Sequence, residues 1–515
     1  MSTRFDLNDD SVVVVIGSGA GGGTLSAALT TAGVNVVCLE AGGQVAIEQD
    51  LPTMYGRVKW ADTRLSEGDL NPALPVFIAK AVGGTSIVWG GVALRIQPHE
   101  FAARTNYGEV AGAALADWPI SYADIDPWYT LAEQRLGVTG THGNPFLPDH
   151  NNATLLKLGA RELGYEQVSN GHMAINAVDH DGRPACRQFG FCAGGCVIGA
   201  KWSSLHAELP KARASGRFEL RERAMAVAIE HDDAGRASGV VYIDADGKRQ
   251  RQRARVVCLA ANGIETPRLL LLSASGRFPD GLANGSGLVG HHYMTDLLGR
   301  AIAIMPGRVD NYRGTTYSSL VADDMRHDPA RGFVGGYLFV PRGIHLPTYV
   351  NEPRADGWGA EYAEVMEAYP NMASAALIGE DLPVHDNRIT LDGETLDQYG
   401  NPVPVIHKRY HDNDRALLAH GLERAADIYR ALGATQVFTR ASNVAIHNLG
   451  TCRMSSDPAD GVCNAYGATH EVPNLFVSDG SQFVTSGAAP PTLTIAALAL
   501  RQADHIVGQL RAGTI

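Results

Sequence analysis

Residues 12–40 constrain the fold more than any other stretch. Val12 to Ile16 is a continuous β-branched apolar run, Gly17-Ser-Gly19-Ala-Gly-Gly22 follows, and Thr24 to Ala32 carries small and apolar residues at helical spacing. A second apolar run, Val34 to Leu39, ends on Glu40. Strand, glycine turn, helix, strand and acid make one βαβ unit. Gly17 permits the tight turn, Gly19 lets backbone approach a pyrophosphate, and Gly22 lets the helix close on its strand. The helix start offers unpaired N–H groups and a positive dipole end to phosphates, and Glu40 offers a carboxylate to ribose hydroxyls. The unit reads as a dinucleotide site; the bland alternative is a glycine-rich structural turn.

At 515 residues the chain exceeds the usual size of one hydrophobic core, so two or more domains are expected. Hydrophobic residues at 45% and charged residues at 19% suit an ordinary α/β protein. A net charge of -12, without an uninterrupted Lys/Arg run, argues against nucleic acid and anionic membrane surfaces as partners. No run reaches the roughly 18 uninterrupted apolar residues of a membrane span. The N-terminal MSTRFDLNDD lacks the apolar core of a signal peptide, so a cytoplasmic location is expected.

Three of the seven cysteines, Cys186, Cys192 and Cys196, fall in the stretch CRQFGFCAGGC. Zinc is disfavoured, because neither paired CxxC motifs nor CxxC with histidines are present. Thiolates at this spacing could each ligate one iron of a small iron–sulfur cluster, with Gly190, Gly194 and Gly195 letting the backbone curl. Buried structural cysteines and a Cys192–Cys196 disulfide stay open as alternatives, the disulfide being disfavoured in a reducing compartment. Cys38 and Cys258, inside apolar runs, read as small buried side chains. Cys452 and Cys463 have no evident partner.

The C-terminus returns to a nucleotide-like pattern. Asn474 to Ser481 reads as a strand ending in Asp479-Gly480, and Thr492 to Ile506 as a long apolar-faced helix. A flavin dinucleotide draws on such distant segments, whereas a nicotinamide site does not need them. Between the two ends, 301–305, 335–340 and 387–391 read as strands in a region without a nucleotide turn. Asp412, Asn413 and Asp414 read as caps of a helix running through Arg430, which leaves neighbouring His411 no site role. Residues 352–367 read as a loop or lid.

Gly83-Gly84-Thr85-Ser86-Ile-Val-Trp89-Gly90-Gly91-Val-Ala-Leu-Arg95 resembles the first signature of the glucose–methanol–choline (GMC) family of flavin oxidoreductases. Val257 to Leu269 resembles its second signature, and His447-Asn-Leu-Gly450-Thr451-Cys452-Arg453-Met454 with Asp479-Gly480-Ser481 its C-terminal motifs. Within the family the chain is most similar to bacterial membrane-complex sugar and sugar-acid dehydrogenase flavosubunits, such as gluconate 2-dehydrogenase, and to glycoside 3-oxidising enzymes. The resemblance implies an α/β fold: an FAD-binding Rossmann-like domain (1–100, 200–300 and 440–515) interleaved with a substrate-binding and connecting region (101–199 and 301–439) built on an antiparallel sheet.

It further implies FAD contacts at Gly17, Ser18, Gly19, Ala20, Gly22, Glu40, Ala41, Gly83, Gly84, Thr85, Trp89, Gly90, Gly91, Ala226, Asp479, Gly480, Pro491 and Thr492. No histidine lies between Lys80 and Pro98, so FAD is expected to be held non-covalently. His447 matches the catalytic base. The family's second catalytic His or Asn is replaced by Pro490, which leaves Asn448 or a substrate-domain group as its partner. In the membrane-complex relatives the three cysteines bind a [3Fe-4S] cluster feeding a cytochrome subunit. Such relatives also reach the periplasm by co-export with a small partner subunit. The expected activity is oxidation of a CH–OH group of a sugar, glycoside, sugar acid or related alcohol. An oxygen-using oxidase without a cluster and a non-catalytic flavin electron-transfer module are the competing readings.

Overall fold

The computed structural model describes residues 4–343 and 357–515. Five parallel strands form one sheet in the order Leu475–Val477, Val256–Leu259, Val13–Ile16, Val36–Glu40, Phe218–Glu222. The central Val13–Ile16 strand is wholly buried, which is why its sequence is apolar throughout instead of alternating. Val13, Val15, Val36 and Cys38 pack under Leu25 and Leu29 of the helix Ala20–Thr31 and Ile506 of the C-terminal helix Thr492–Ala512. Val14, Ile16, Val257 and Leu259 face the other way, onto Ile229 and Val240 of a three-stranded antiparallel layer. Gly22 stands where helix and strand cross: a Cβ there would lie 2.0 Å from the Gly17 carbonyl oxygen.

Six antiparallel strands form the second large sheet, in the order Gln436–Ala441, Leu297–Ile304, Met372–Gly379, Tyr337–Pro341, Ser319–Val321, Val168–Asn170. One face, through Leu297, Ala301, Phe339 and Leu377, buries against Leu156 of the helix Asn151–Glu162 and Leu417 and Ile428 of the helix Asp412–Arg430. Alternation along the strands sends Leu298, Arg300, Ala376 and Ile378 to the opposite face, where they line a cavity. The other wall of that cavity is the carboxyl end of the parallel sheet, at Ile16, Glu40 and Ala260, the usual ligand position in such sheets.

The runs expected as strands at 301–305 and 335–340 belong to the six-stranded sheet. The run at 387–391 is also a strand, Arg388–Leu396, but it joins Pro402–Lys408 and Leu65–Gly68 in a separate three-stranded sheet. The helix through Arg430 is capped by His411 itself. Its Nδ1 accepts the Asn413 N–H at 3.1 Å, and Asp414 Oδ2 accepts the His411 N–H at 2.8 Å. An imidazole lone pair here replaces the usual cap oxygen, leaving Asp414 as its reciprocal partner. Within the segment expected as a loop or lid, Ala360–Glu367 is a helix, because its alanine, glutamate and methionine content favours one; 352–356 lie outside the described residues. Among the described residues no helix is long and apolar enough to cross a membrane.

Candidate active site

The cavity between the two sheets measures about 650 Å³. Of the residues expected around a flavin, Gly17, Gly19, Ala20, Glu40, Ala41, Gly84, Thr85, Trp89, Gly90, Ala226, Asp479, Gly480, Pro491 and Thr492 line it, together with His447 and Asn448. Ser18, Gly22, Gly83 and Gly91 are not in the lining and stand behind the wall. Ser18 holds that wall together: its N–H and hydroxyl donate to Glu40 Oε2 at 3.0 and 2.7 Å, and its Oγ accepts the Gly83 N–H at 2.9 Å. Glu40 Oε1 accepts the Gly42 N–H at 2.8 Å. Burial raises the Glu40 pKa, while these hydrogen bonds oppose the rise.

The helix Ala20–Thr31 begins at the cavity with Gly19 as its N-cap, without a capping side chain and without an acid in its first turn. Its first N–H groups and positive end are therefore available to an anion. Gly84, at φ +56°, passes so near that a Cβ on it would lie 2.8 Å from the Gly19 Cα. Asp479 is fixed from three sides, by the Asn262 N–H (2.9 Å), the Thr266 hydroxyl (2.6 Å) and the Ser481 N–H (2.8 Å). An uncapped helix start, a glycine cradle and two immobilised carboxylates suit a pyrophosphate-linked cofactor.

At the sheet end of the cavity, His447 Nδ1 lies 2.8 Å from Asp296 Oδ2. The histidine side chain is 20% exposed and the aspartate 0%. A carboxylate at Nδ1 fixes the proton there and leaves Nε2 as the basic atom. Burial raises the Asp296 pKa to about 6, against the pull of His447. Asp296 immediately precedes the strand Leu297–Ile304 and is 151 positions from His447, so no local sequence pattern pairs them. Asn448 is anchored likewise: its Oδ1 accepts the hydroxyl of fully buried Tyr293 at 2.7 Å. Neither Asp296 nor Tyr293 was legible as a site residue. Pro490 lines the same cavity and brings no side-chain donor.

This dyad makes a pH prediction. Below about pH 6 Asp296 is protonated and no longer holds the Nδ1–H or balances charge on His447, so kcat/KM is expected to fall as pH drops through that value. Asp296→Asn should lower kcat and change this acid limb in a pH–rate profile. A profile and rate identical to the wild type would remove Asp296 from the role.

All seven cysteines are free thiols, so the Cys192–Cys196 disulfide is not formed. Cys186, Cys192 and Cys196 are each partly buried in a turn that Gly190 (φ 80°) and Gly195 (φ 107°) bend through left-handed conformations. Among the described residues, only His99, Glu100 and Glu380 bring three metal-ligating atoms within 4.8 Å of one another. The three sulfurs therefore do not converge on one shared ion. Lys201, 2% exposed, ties this turn to the cavity wall: Nζ donates to the carbonyls of Ile87 (2.9 Å), Trp89 (2.5 Å) and Cys192 (2.6 Å). Burial lowers the Lys201 pKa to about 8. Ala193, next to Cys192, lines the cavity itself.

The family model for the N-terminal part of GMC oxidoreductases matches residues 9–297, and that for the C-terminal part matches 383–499. The chain is 34% identical to the 2-methyl-1,2-propanediol dehydrogenase of Mycolicibacterium austroafricanum, over 98% of this chain and 96% of that protein. It is 29% identical to the fructose dehydrogenase large subunit of Gluconobacter japonicus, over 97% of this chain and 98% of that one. The crystal structure of pyridoxine 4-oxidase from Mesorbium loti shares the fold, with a TM-score of 0.69 at 18% identity, covering 96% of this chain and 99% of that one. Membership implies FAD as the cofactor, which the glycine cradle and uncapped helix start fit. With both halves of the family pattern matched across the cavity that they enclose, this chain belongs to the GMC oxidoreductases.

Proposed function

We propose that the chain is an FAD-dependent dehydrogenase that oxidises a CH–OH group of a sugar, glycoside, sugar acid or related alcohol. The observation that carries this reading is His447 on the wall of the cavity into which the glycine turn opens, held from behind by Asp296. Bound FAD would supply the hydride acceptor. Gly17, Gly19 and the helix start would hold its pyrophosphate, and Glu40 its ribose. His447 Nε2 takes the hydroxyl proton as the C–H bond breaks, and Asp296 balances the charge left on the ring. The Asn448 amide N–H, oriented by Tyr293, donates to the substrate oxygen, a part Pro490 cannot play. The names of the relatives, a propanediol dehydrogenase and a fructose dehydrogenase, support a hydroxyl compound as substrate.

The segment from Lys80 to Pro98 contains no histidine that could bond the flavin. Acid precipitation of the purified yellow protein is therefore expected to release all its FAD to the supernatant. Flavin retained in the pellet would contradict non-covalent binding.

For the electrons' exit, the reading assigns the turn of Cys186, Cys192 and Cys196. Three thiolates would hold a [3Fe-4S] cluster, one iron each, which would supply a one-electron relay. The cavity-lining Ala193 and the Lys201 bridge to Trp89 and Cys192 support this direction, since both join the turn to the flavin side. The acceptor in this reading is a cytochrome or other electron-transfer subunit. Anaerobic addition of a panel of sugars and polyols to FAD-loaded protein tests the whole reading: at least one should bleach the flavin. Flavin that no member of the panel bleaches would leave a flavin-binding module without alcohol chemistry.

A further inference from the structure

We propose that His99, Glu100 and Glu380 form a binding site for one divalent transition-metal ion that clamps the six-stranded sheet to the segment leading to Pro490. A ring nitrogen of His99 and one oxygen from each glutamate lie within 4.8 Å of one another. Glu100 is 0% exposed and Glu380 4%. Ligand atoms of two chemical kinds thus converge in the interior from distant parts of the chain. His99 and Glu100 belong to the short helical turn Pro98–Ala102, and Glu380 directly follows the strand Met372–Gly379.

Each carboxylate is held in place by the surrounding protein. Glu100 accepts the Gln97 N–H on Oε2 at 2.5 Å and the Ala488 N–H on Oε1 at 2.7 Å. Glu380 Oε1 accepts the Gly336 N–H at 2.8 Å, and the Tyr107 hydroxyl stands 3.1 and 3.2 Å from the two Glu380 oxygens. A carboxylate offers about four lone-pair sites, so these bonds orient both groups and leave capacity for an ion.

The pair is short of a cation. Among the described residues neither glutamate forms an ion pair with a lysine or arginine. Arg331, whose charge reaches Tyr107, donates instead to Asp324 (3.2 Å) and the Gly335 carbonyl (3.1 Å). Burial pushes the Glu100 carboxyl up to about 7, and burial together with the charge of Glu100 pushes Glu380 well above the usual carboxylate range. A proton or a metal ion must therefore stand between them. The imidazoles favour the metal. His99 Nε2 is enclosed by protein without a hydrogen-bond partner, and so is Nδ1 of His327, whose ring packs on Tyr107 with centroids 4.8 Å apart. A buried polar atom without a partner points to a missing one, and a proton shared by the carboxylates would satisfy neither nitrogen. Burial lowers the His99 pKa, which keeps a ring lone pair free to coordinate. Two carboxylates with one imidazole suit ions of the manganese, iron and zinc kind.

An ion here would brace the cavity from behind. Ala488, held by Glu100, is followed by Pro490 and Pro491 in the cavity lining, and Asp381, next to Glu380, donates its N–H to Ser486 Oγ at 2.8 Å. Mn²⁺ is the probe of choice, because thiolates bind it poorly and the cysteine turn then stays out of the readout. FAD-loaded protein, stripped of metals by dialysis against EDTA, is titrated with Mn²⁺, and the free ion is read from its paramagnetic resonance. One ion per chain should bind, and the melting temperature should rise with it. Glu380→Gln, which keeps the side chain's size, and His99→Ala, at a partly buried position, should each weaken binding at least about tenfold and remove the rise. Should Glu380→Gln fail to fold, His99→Ala decides alone. An undiminished manganese signal with an unchanged melting temperature overturns the proposal. So does binding that persists at full strength in the folded variants, which would place the ion elsewhere.

Discussion

Replacing His447 by alanine is expected to lower kcat by about 10²–10⁴, the usual contribution of a positioned acid–base group, while leaving FAD bound. The imidazole is held by Asp296 at 2.8 Å on the sheet side of the cavity, whereas the glycine turn, Glu40 and Asp479 lie at its nucleotide end. Cofactor retention and turnover should therefore separate. Steady-state turnover together with the flavin-to-protein absorbance ratio checks the claim. Near-normal kcat at normal flavin content would mean that another group takes the proton.

On the proposed assignment of a [3Fe-4S] cluster to the cysteine turn, changing Cys192 to serine should abolish rapid electron delivery to one-electron acceptors while sparing sugar-dependent flavin bleaching. A hydroxyl has nearly the size of a thiol but is a much poorer ligand for iron, and a three-iron cluster has no thiolate in reserve. The Cys192 carbonyl accepts from Lys201 at 2.6 Å, a backbone contact that serine preserves, so the fold should stand. Iron and acid-labile sulfide analysis, paramagnetic resonance and ferricyanide reduction report on it together. Wild-type protein prepared without oxygen and free of iron would assign the turn a packing role and favour molecular oxygen as acceptor.

What the sequence disclosed and what it hid follow from the range of the interactions. The Val13–Ile16 strand, the Gly17–Gly22 turn and Glu40 lie within one short stretch, and it leaves chemical marks: β-branched residues where both faces are buried, and glycine at 22 where a Cβ would strike the Gly17 carbonyl. His447 and Asn448 could be singled out because they stand in a short motif. Their anchors could not. Asp296 and Tyr293 are an ordinary acid and an ordinary aromatic until the fold brings them against His447 and Asn448. Lys201 is similar: a lysine in a sequence reads as solvated, and only the fold buries it among three carbonyls. Ser18, expected to touch the cofactor, also fixes Glu40 and Gly83, a link that the glycine motif does not encode.

The central claim is that a carbinol hydrogen passes to the flavin while His447 takes the hydroxyl proton. Anaerobic rapid mixing of FAD-loaded protein with a bleaching substrate, against the same compound deuterated at the carbinol carbon, tests it most directly. The account predicts that flavin reduction is slowed by deuterium and is slow in His447→Ala even with the unlabelled compound. Protein that binds no flavin and instead reduces a nicotinamide would contradict it, as would flavin reduction equally fast in the wild type and in His447→Ala.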